Sequence, residues 1–198
     1  MSWPFLYFAD DRLSGAELTS ARLDGDLVEV GEGYMPADAV ETRELRAASL
    51  RPVVPPALAV VGESAAWVHG AISEPPARHT VQRRASGRLH TLADARLVYR
   101  DHPLPAGADE CIAGVWISTP AHTLADLVRA AQAGDDVGAS VDALLAWRPG
   151  LATAAITVLE HGRAVHFKRA ALAYLRGCVA RGRTEIVAGS ITEGVTTR

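Results

Sequence analysis

Apolar residues recur along this chain with two different periods, and the change from one to the other divides it. Leu124, Leu127, Val128 and Ala131 fall at i, i+3, i+4 and i+7, the stripe of an amphipathic helix. Thr119-Pro120 supplies its start, a capping residue ahead of a first-turn proline. Phe167, Ala171, Leu172, Leu175 and Val179 share one face of a further helix over 164–181, and shorter helices are predicted over 137–147 and 151–160. Upstream the runs are short. Leu58-Ala59-Val60-Val61 reads as a buried strand, Ser64 to His69 as a short helix ended by Gly70, and 79–84, 96–102 and 110–118 as strands set apart by Gly, Pro and Asp. Strands first and helices after predict an α+β fold rather than a doubly wound parallel sheet.

The front of the chain has its own pattern. Ser14-Gly15-Ala16-Glu17 is a capping box, so a helix is predicted from Ser14 to about Asp24, stopping at Gly25. Leu27 to Val30 then reads as a strand, Gly31-Glu32-Gly33 as a turn and Tyr34-Met35 as the return strand. A short helix followed by a tight hairpin is the ending of a winged-helix unit. Another helix is expected from Asp38, with Glu41 three residues on, to Leu50. Pro52, Pro55 and Pro56 then break the chain. The expected division is a small, reduced winged-helix-like unit over 1–51 and a mixed α/β domain with C-terminal helices over 52–198.

Composition adds little until its distribution is read. With 198 residues, 48% apolar and 22% charged, the chain can bury a core, and a net charge of −3 exerts no whole-molecule pull on nucleic acid or anionic membranes. Residues 1–50, however, hold ten acids against four arginines, whereas 51–100 hold seven arginines against three acids and 151–198 seven bases against three acids. Cys111 and Cys178 sit among apolar neighbours and are expected in the core. The opening Trp3 to Phe8 lacks a basic leader, and no apolar run reaches the roughly 18–20 residues of a membrane span. A cytoplasmic protein with no membrane partner is expected.

Candidate chemistry is sparse. There is no GxxxxGK[ST] and no GxGxxG between a strand and a helix, and HExxH, CxxC and HxH are all missing. Ser64 lies in Gly-Glu-Ser-Ala-Ala, which is no nucleophile elbow, and the sole lysine, Lys168, has no carboxylate beside it. No cofactor, metal site or catalytic set is therefore expected. His69 in an apolar helix is read as packing or capping, and His122 in a helix's first turn as structural. His90 and Asp94, four apart, are the only pair that a hydrolase reading could use.

Three segments stand out in order: the run from Leu23 to Asp38 with its Gly25-Asp26-Leu27-Val28-Glu29-Val30-Gly31-Glu32-Gly33-Tyr34 stretch, the run Gly62-Glu63-Ser64-Ala65-Ala66-Trp67-Val68-His69-Gly70, and the run Gly114 to Leu127. Together they resemble the AbiEi-type antitoxins, winged-helix transcriptional regulators of bacterial type IV toxin–antitoxin systems. The resemblance covers roughly residues 12 to 130. It implies a DNA-binding unit followed by an α/β domain, a repressor of its own promoter, and a non-enzymatic opponent of a nucleotidyltransferase-like toxin acting without a stable complex. It implies structural roles for Trp67, His69, Thr119, Thr123 and Asp126. His122 stands where the family usually has arginine, and the region before Ser14 has room for little more than a strand. Ser190 onward resembles the opening of a nuclease-like domain found in some relatives and then stops, so that activity is not expected.

For DNA contact the candidates are Arg12, Thr19, Ser20 and Arg22 in and before the first helix, and Arg83, Arg84 and Arg88 in the arginine-rich middle. Against them stand Glu17, Asp24, Glu29 and Glu32, which repel phosphate. Arg163, Lys168, Arg169, Arg176, Arg181 and Arg183 add positive charge along the last helices, where solvated helix faces account for them as well as a phosphate track does. The alternative is a protein-interaction or homodimerisation module whose degenerate winged helix does not bind DNA.

Overall fold

A computed structural model of the chain describes residues 5–9, 11–84 and 94–193, with side chains as far as Arg181. Arg88, His90 and the side chain of Arg183 lie outside the described residues. The chain divides into two compact units, Met1–Thr123 and Leu124–Arg198.

The first unit opens with Tyr7, whose N–H and C=O both bond to Tyr34, each at 2.9 Å. Helix α1 (Gly15–Leu23) starts with the predicted box: Ser14 Oγ accepts from Glu17 N, and the Glu17 carboxylate accepts from Ser14 N at 2.8 Å. Strands β1 (Leu27–Val30) and β2 (Gly33–Pro36) pair antiparallel as a separate two-stranded sheet. Leu27, Val30 and Met35 face inward while Val28 and Glu29 face solvent. The Gly-Glu-Gly turn is fixed by two close approaches. A Cβ on Gly31 (φ 52) would overlap the Ser49 hydroxyl, and one on Gly33 would lie 3.0 Å from Tyr7 O.

Helix α2 (Arg43–Ser49) begins at Thr42, not Asp38; Thr42 Oγ1 accepts from Leu45 N at 3.2 Å. Residues 37–41 are turn and coil, because the apolar set that needs burial, Leu45, Ala47 and Ala48, begins only after Thr42. Strands β3 (Leu58–Val60), β4 (His79–Arg83), β5 (Leu97–Arg100), β6 (Asp109–Ile112) and β7 (Val115–Ser118) form a mixed sheet in the order β5-β4-β3-β7-β6. Helix α3 (Gly62–His69) follows β3, ends at Gly70 (φ 86), and is almost wholly buried. The single strand predicted over 110–118 is a β6–β7 hairpin. Its two turn residues, Ala113 (φ 51) and Gly114 (φ 85), both take the left-handed conformation of a primed turn. Apolar side chains continue through that turn, so periodicity alone hides it.

Leu6, Val30, Met35, Leu45 and Leu50 belong to one buried cluster with Leu58, Val60, Trp67, Val81 and Ile117. The prolines at 52–56 are therefore a turn inside the first unit.

Helix α4 (Pro120–Ala133) starts at the end of that unit and carries the predicted stripe into the second, with Leu124, Leu127 and Val128 buried. Helices α5 (Gly138–Trp147), α6 (Leu151–His161) and α7 (Lys168–Glu193) follow, and α6 packs on α7, burying Ala155, Leu159, Ala171 and Leu175. The last helix starts at Lys168 rather than 164, because Phe167 takes a positive φ of 60. The architecture is α+β. None of the described helices is long and apolar enough to cross a membrane.

Candidate functional site

Helix α1 is held to the hairpin by little more than Leu18; Thr19, Ser20, Arg22 and Leu23 are exposed, as is Arg12 just before it. Thr19 Oγ1 donates back to Gly15 O at 2.8 Å. Glu17 is held below the usual carboxylate range by the two hydrogen bonds from Ser14, backbone first, so the helix start carries a fixed negative charge. Arg22 Nε lies 3.3 Å from Glu29 Oε1 of β1. Arg22, one of the residues expected at a phosphate, thus already faces a carboxylate of the neighbouring strand.

Glu32, at the tip of the hairpin, does not point outward as a repelling wing residue. Its carboxylate lies 2.9 Å from Arg96 Nη1 and 3.6 Å from His79 Nε2, and its side chain is 16% exposed. Arg96 also holds Asp94, whose carboxyl falls to about 2 because the guanidinium and backbone of Arg96 both donate to it. His79 is pushed below its usual value, since burial outweighs the attraction of Glu32. Its ring lies 5.9 Å from that of Trp67. These contacts tie the hairpin tip to β4 and to the approach to β5. The Glu32 contacts join residues far apart in sequence, so no local signal announces them.

The arginine-rich middle is similarly engaged. Arg83 is nearly buried, with Nε 3.5 Å from Asp101 Oδ1. Arg84 bonds Asp109 and lays its guanidinium 3.3 Å above the Trp116 ring. Arg78 donates to the carbonyls of Ala95 and Leu97. Arg83 and Arg84 do point to different neighbours, as strand alternation requires, and neither joins Arg22 in a common patch with a described contact.

The family-motif residues converge, apart from Asp126. His69 Nε2 donates to Ser118 O at 2.7 Å, which fixes the proton on that nitrogen. Thr123 Oγ1 donates to the same carbonyl at 3.2 Å, leaving its oxygen to accept from Ser118 Oγ at 2.6 Å. Thr119 Oγ1 pairs with His122 Nδ1 at 2.9 Å. Burial keeps His122 below its usual value despite the nearby charge of Asp109, so it does not replace the positive charge of an arginine. Trp67 is buried, with Arg46 5.4 Å from its ring and Arg46 Nη1 donating to Trp67 O at 2.6 Å. Asp126 pairs with Arg129 one turn later at 3.1 Å. Together these groups lock the end of α3 to the end of β7 and the first turn of α4. The hydroxyls of Ser118 and Thr123 are engaged with each other and with the Ser118 carbonyl.

Asp94 is bound to Arg96, and its proposed partner His90 is outside the described residues. Cys111 is exposed on edge strand β6 and Cys178 is half-buried, so neither is the core thiol that its neighbours suggested. Among the described residues no cluster of three or more His, Cys, Asp or Glu could hold a metal ion.

The family model of the AbiEi antitoxin C-terminal domain matches residues 58–174, from β3 into α7. The chain belongs to the AbiEi antitoxin family. No curated protein gives a significant match. Among solved structures, the RV2827C protein from Mycobacterium tuberculosis matches at 18% identity over 82% of this chain and 70% of that one, with a TM-score of 0.35. That likeness carries no residue roles. Membership places the AbiEi-family chain in a toxin–antitoxin and regulatory setting, and the motif network of Trp67, His69, Thr119 and Thr123 falls inside the matched span.

Proposed function

We propose that this chain is a non-enzymatic antitoxin that opposes a nucleotidyltransferase-like toxin indirectly and binds DNA at its own promoter. The observation that carries this reading is the match of the antitoxin domain over 58–174, preceded by a strand bridge, a helix and a two-stranded hairpin. In that N-terminal segment the order across the small sheet is β1, β2, then Tyr7. One helix between the Tyr7 bridge and the hairpin is what a winged helix reduced by one helix would leave. A Gly-rich, closely packed turn at 31–33 supports a wing of fixed shape.

Two measurements test it. Co-expression with a nucleotidyltransferase-like product of the neighbouring gene should restore growth; no rescue removes the antitoxin reading. A mobility-shift titration on the DNA upstream of its own reading frame should give a complex at about 50 mM salt, where phosphate contacts are strongest. The second reading, a dimerising module with a degenerate winged helix, is favoured by one observation, the pairing of Arg22 with Glu29. It predicts a dimer in light scattering and no DNA complex at any salt.

A further inference from the structure

Two exposed features of opposite charge are each built round apolar side chains that the fold leaves uncovered. One is the end of α1. Leu23 is 75% exposed and Val28, on the strand that follows, is exposed as well, with Asp24 and Asp26 between them. Neither acid forms an ion pair among the described residues. The buried residue of α1 is Leu18, so Leu23 adds nothing to the seating of the helix. The other feature is the start of α7. Val165, Phe167, Ala170 and Leu172 line an open depression of about 530 Å³, with Lys168 and Arg169 in the same lining. Arg163 and Arg169 are exposed and meet no carboxylate among the described residues, whereas Arg176 meets Glu160 at 2.7 Å. Phe167 is 48% exposed at φ 60, a left-handed backbone that glycine adopts more readily. The fold thus bears backbone strain for a ring that it only half covers.

We infer that the depression at the start of α7 is a docking site for a second copy of this chain, and that its occupant is the end of that copy's α1. Leu23 and Val28 seat against Val165, Phe167 and Leu172, while Asp24 and Asp26 face Arg169. The inference rests on the dimerising reading above, whose two surfaces it names. Charge selects a second copy as the occupant: residues 1–50 hold ten acids against four arginines, and 151–198 seven bases against three acids. Two α1 ends facing each other would set acid against acid, and two depressions would set base against base, so α1 against α7 is the pairing that charge favours. Lys168 Nζ already donates to Gly162 O at 2.7 Å, which leaves Arg169 as the principal ionic partner. The volume falls within the roughly 300–1,000 Å³ of ligand pockets and takes a leucine and a valine together. An apolar centre with a charged rim is also the usual make-up of a protein interface. Each copy carries both surfaces, so a reciprocal pair forms the contact twice.

The test is sedimentation velocity of the full chain over a range of concentrations at about 50 mM salt, where charge pairs are little screened. The parent should self-associate. Leu23→Ser, Asp24→Arg and Arg169→Glu should each weaken that association about tenfold or more, and Asp24→Arg with Arg169→Glu in one chain should restore most of it. Circular dichroism should match the parent in every case, since these side chains are exposed. Phe167→Gly should weaken association while holding or raising Tm, because glycine takes that backbone without strain; a fall in Tm with association intact would make the ring structural and overturn its part. A parent that stays a single chain at every concentration overturns both this inference and the dimerising reading. Self-association that survives the three single changes overturns the inference alone and leaves dimerisation to another surface. Loss in the single variants without recovery in the double reversal overturns the pairing of α1 with α7.

Discussion

A single buried hydroxyl, that of Thr123, donates to Ser118 O and accepts from Ser118 Oγ. Replacing it with valine keeps the shape but strands the Ser118 hydroxyl without an acceptor, since His69 already serves the carbonyl. Thr123→Val should cost about 1–3 kcal/mol in a urea titration; an unchanged midpoint would show that the network is not a source of stability. Two imidazoles, one buried and one half-buried, set a pH dependence. His79 and His122 are both held below the ordinary value of 6.5, chiefly by burial. The unfolded chain then takes up protons more readily than the folded one, so stability rises with pH. Their contribution is complete above 6.5 and is lost as the pH falls below it toward the depressed folded values. Denaturation midpoints should fall over that range, and His79→Gln should flatten the fall.

Two turns show how an element's geometry limits its sequence. Ala113 holds φ 51 where asparagine or glycine is favoured, and Gly114 follows it in the same region. Ala113→Asn should therefore raise stability by about 0.5–1 kcal/mol, read as a higher Tm. The hairpin tip runs the other way: Gly31→Ala adds a methyl where the Ser49 hydroxyl and Trp67 ring already sit, at a positive φ. A loss of about 2 kcal/mol or more is expected, and a neutral result would mean that the tip is not seated against α2 and α3. Most elements were legible in the sequence. Ser14 and Glu17 mark the start of α1, Gly25 its end, and Leu124, Leu127 and Val128 the buried face of α4. What misled was continuity. The apolar run across Ala113-Gly114 concealed a turn, and an acid at Asp38 resembled a cap that Thr42 provides.

Across the whole molecule, charge is divided between an acidic front and a basic end. The antitoxin-domain match begins at Leu58, behind that acidic front, so the proposed DNA contact and toxin opposition fall on different stretches of the chain. Arg22→Glu should weaken promoter binding while growth rescue in toxin co-expression stays at the wild-type level. Parallel loss of both would tie the two activities to one surface.

Local sequence settled where most helices lie, though not the starts of α2 and α7, together with the capping box, the Gly-Glu-Gly turn and the order of strands before helices, because caps, turns and periodicity act over a few residues. It also carried the family, through the ordered segments around Trp67, Thr119 and Thr123. Which arginines remain open to a partner was decided only in three dimensions. Arg22, Arg83 and Arg84 look like Arg163 and Arg169 in one dimension, yet the first three meet Glu29, Asp101 and Asp109. A charge is neutralised by whatever the fold brings within a few ångströms, and two of those three partners lie more than fifteen residues away along the chain.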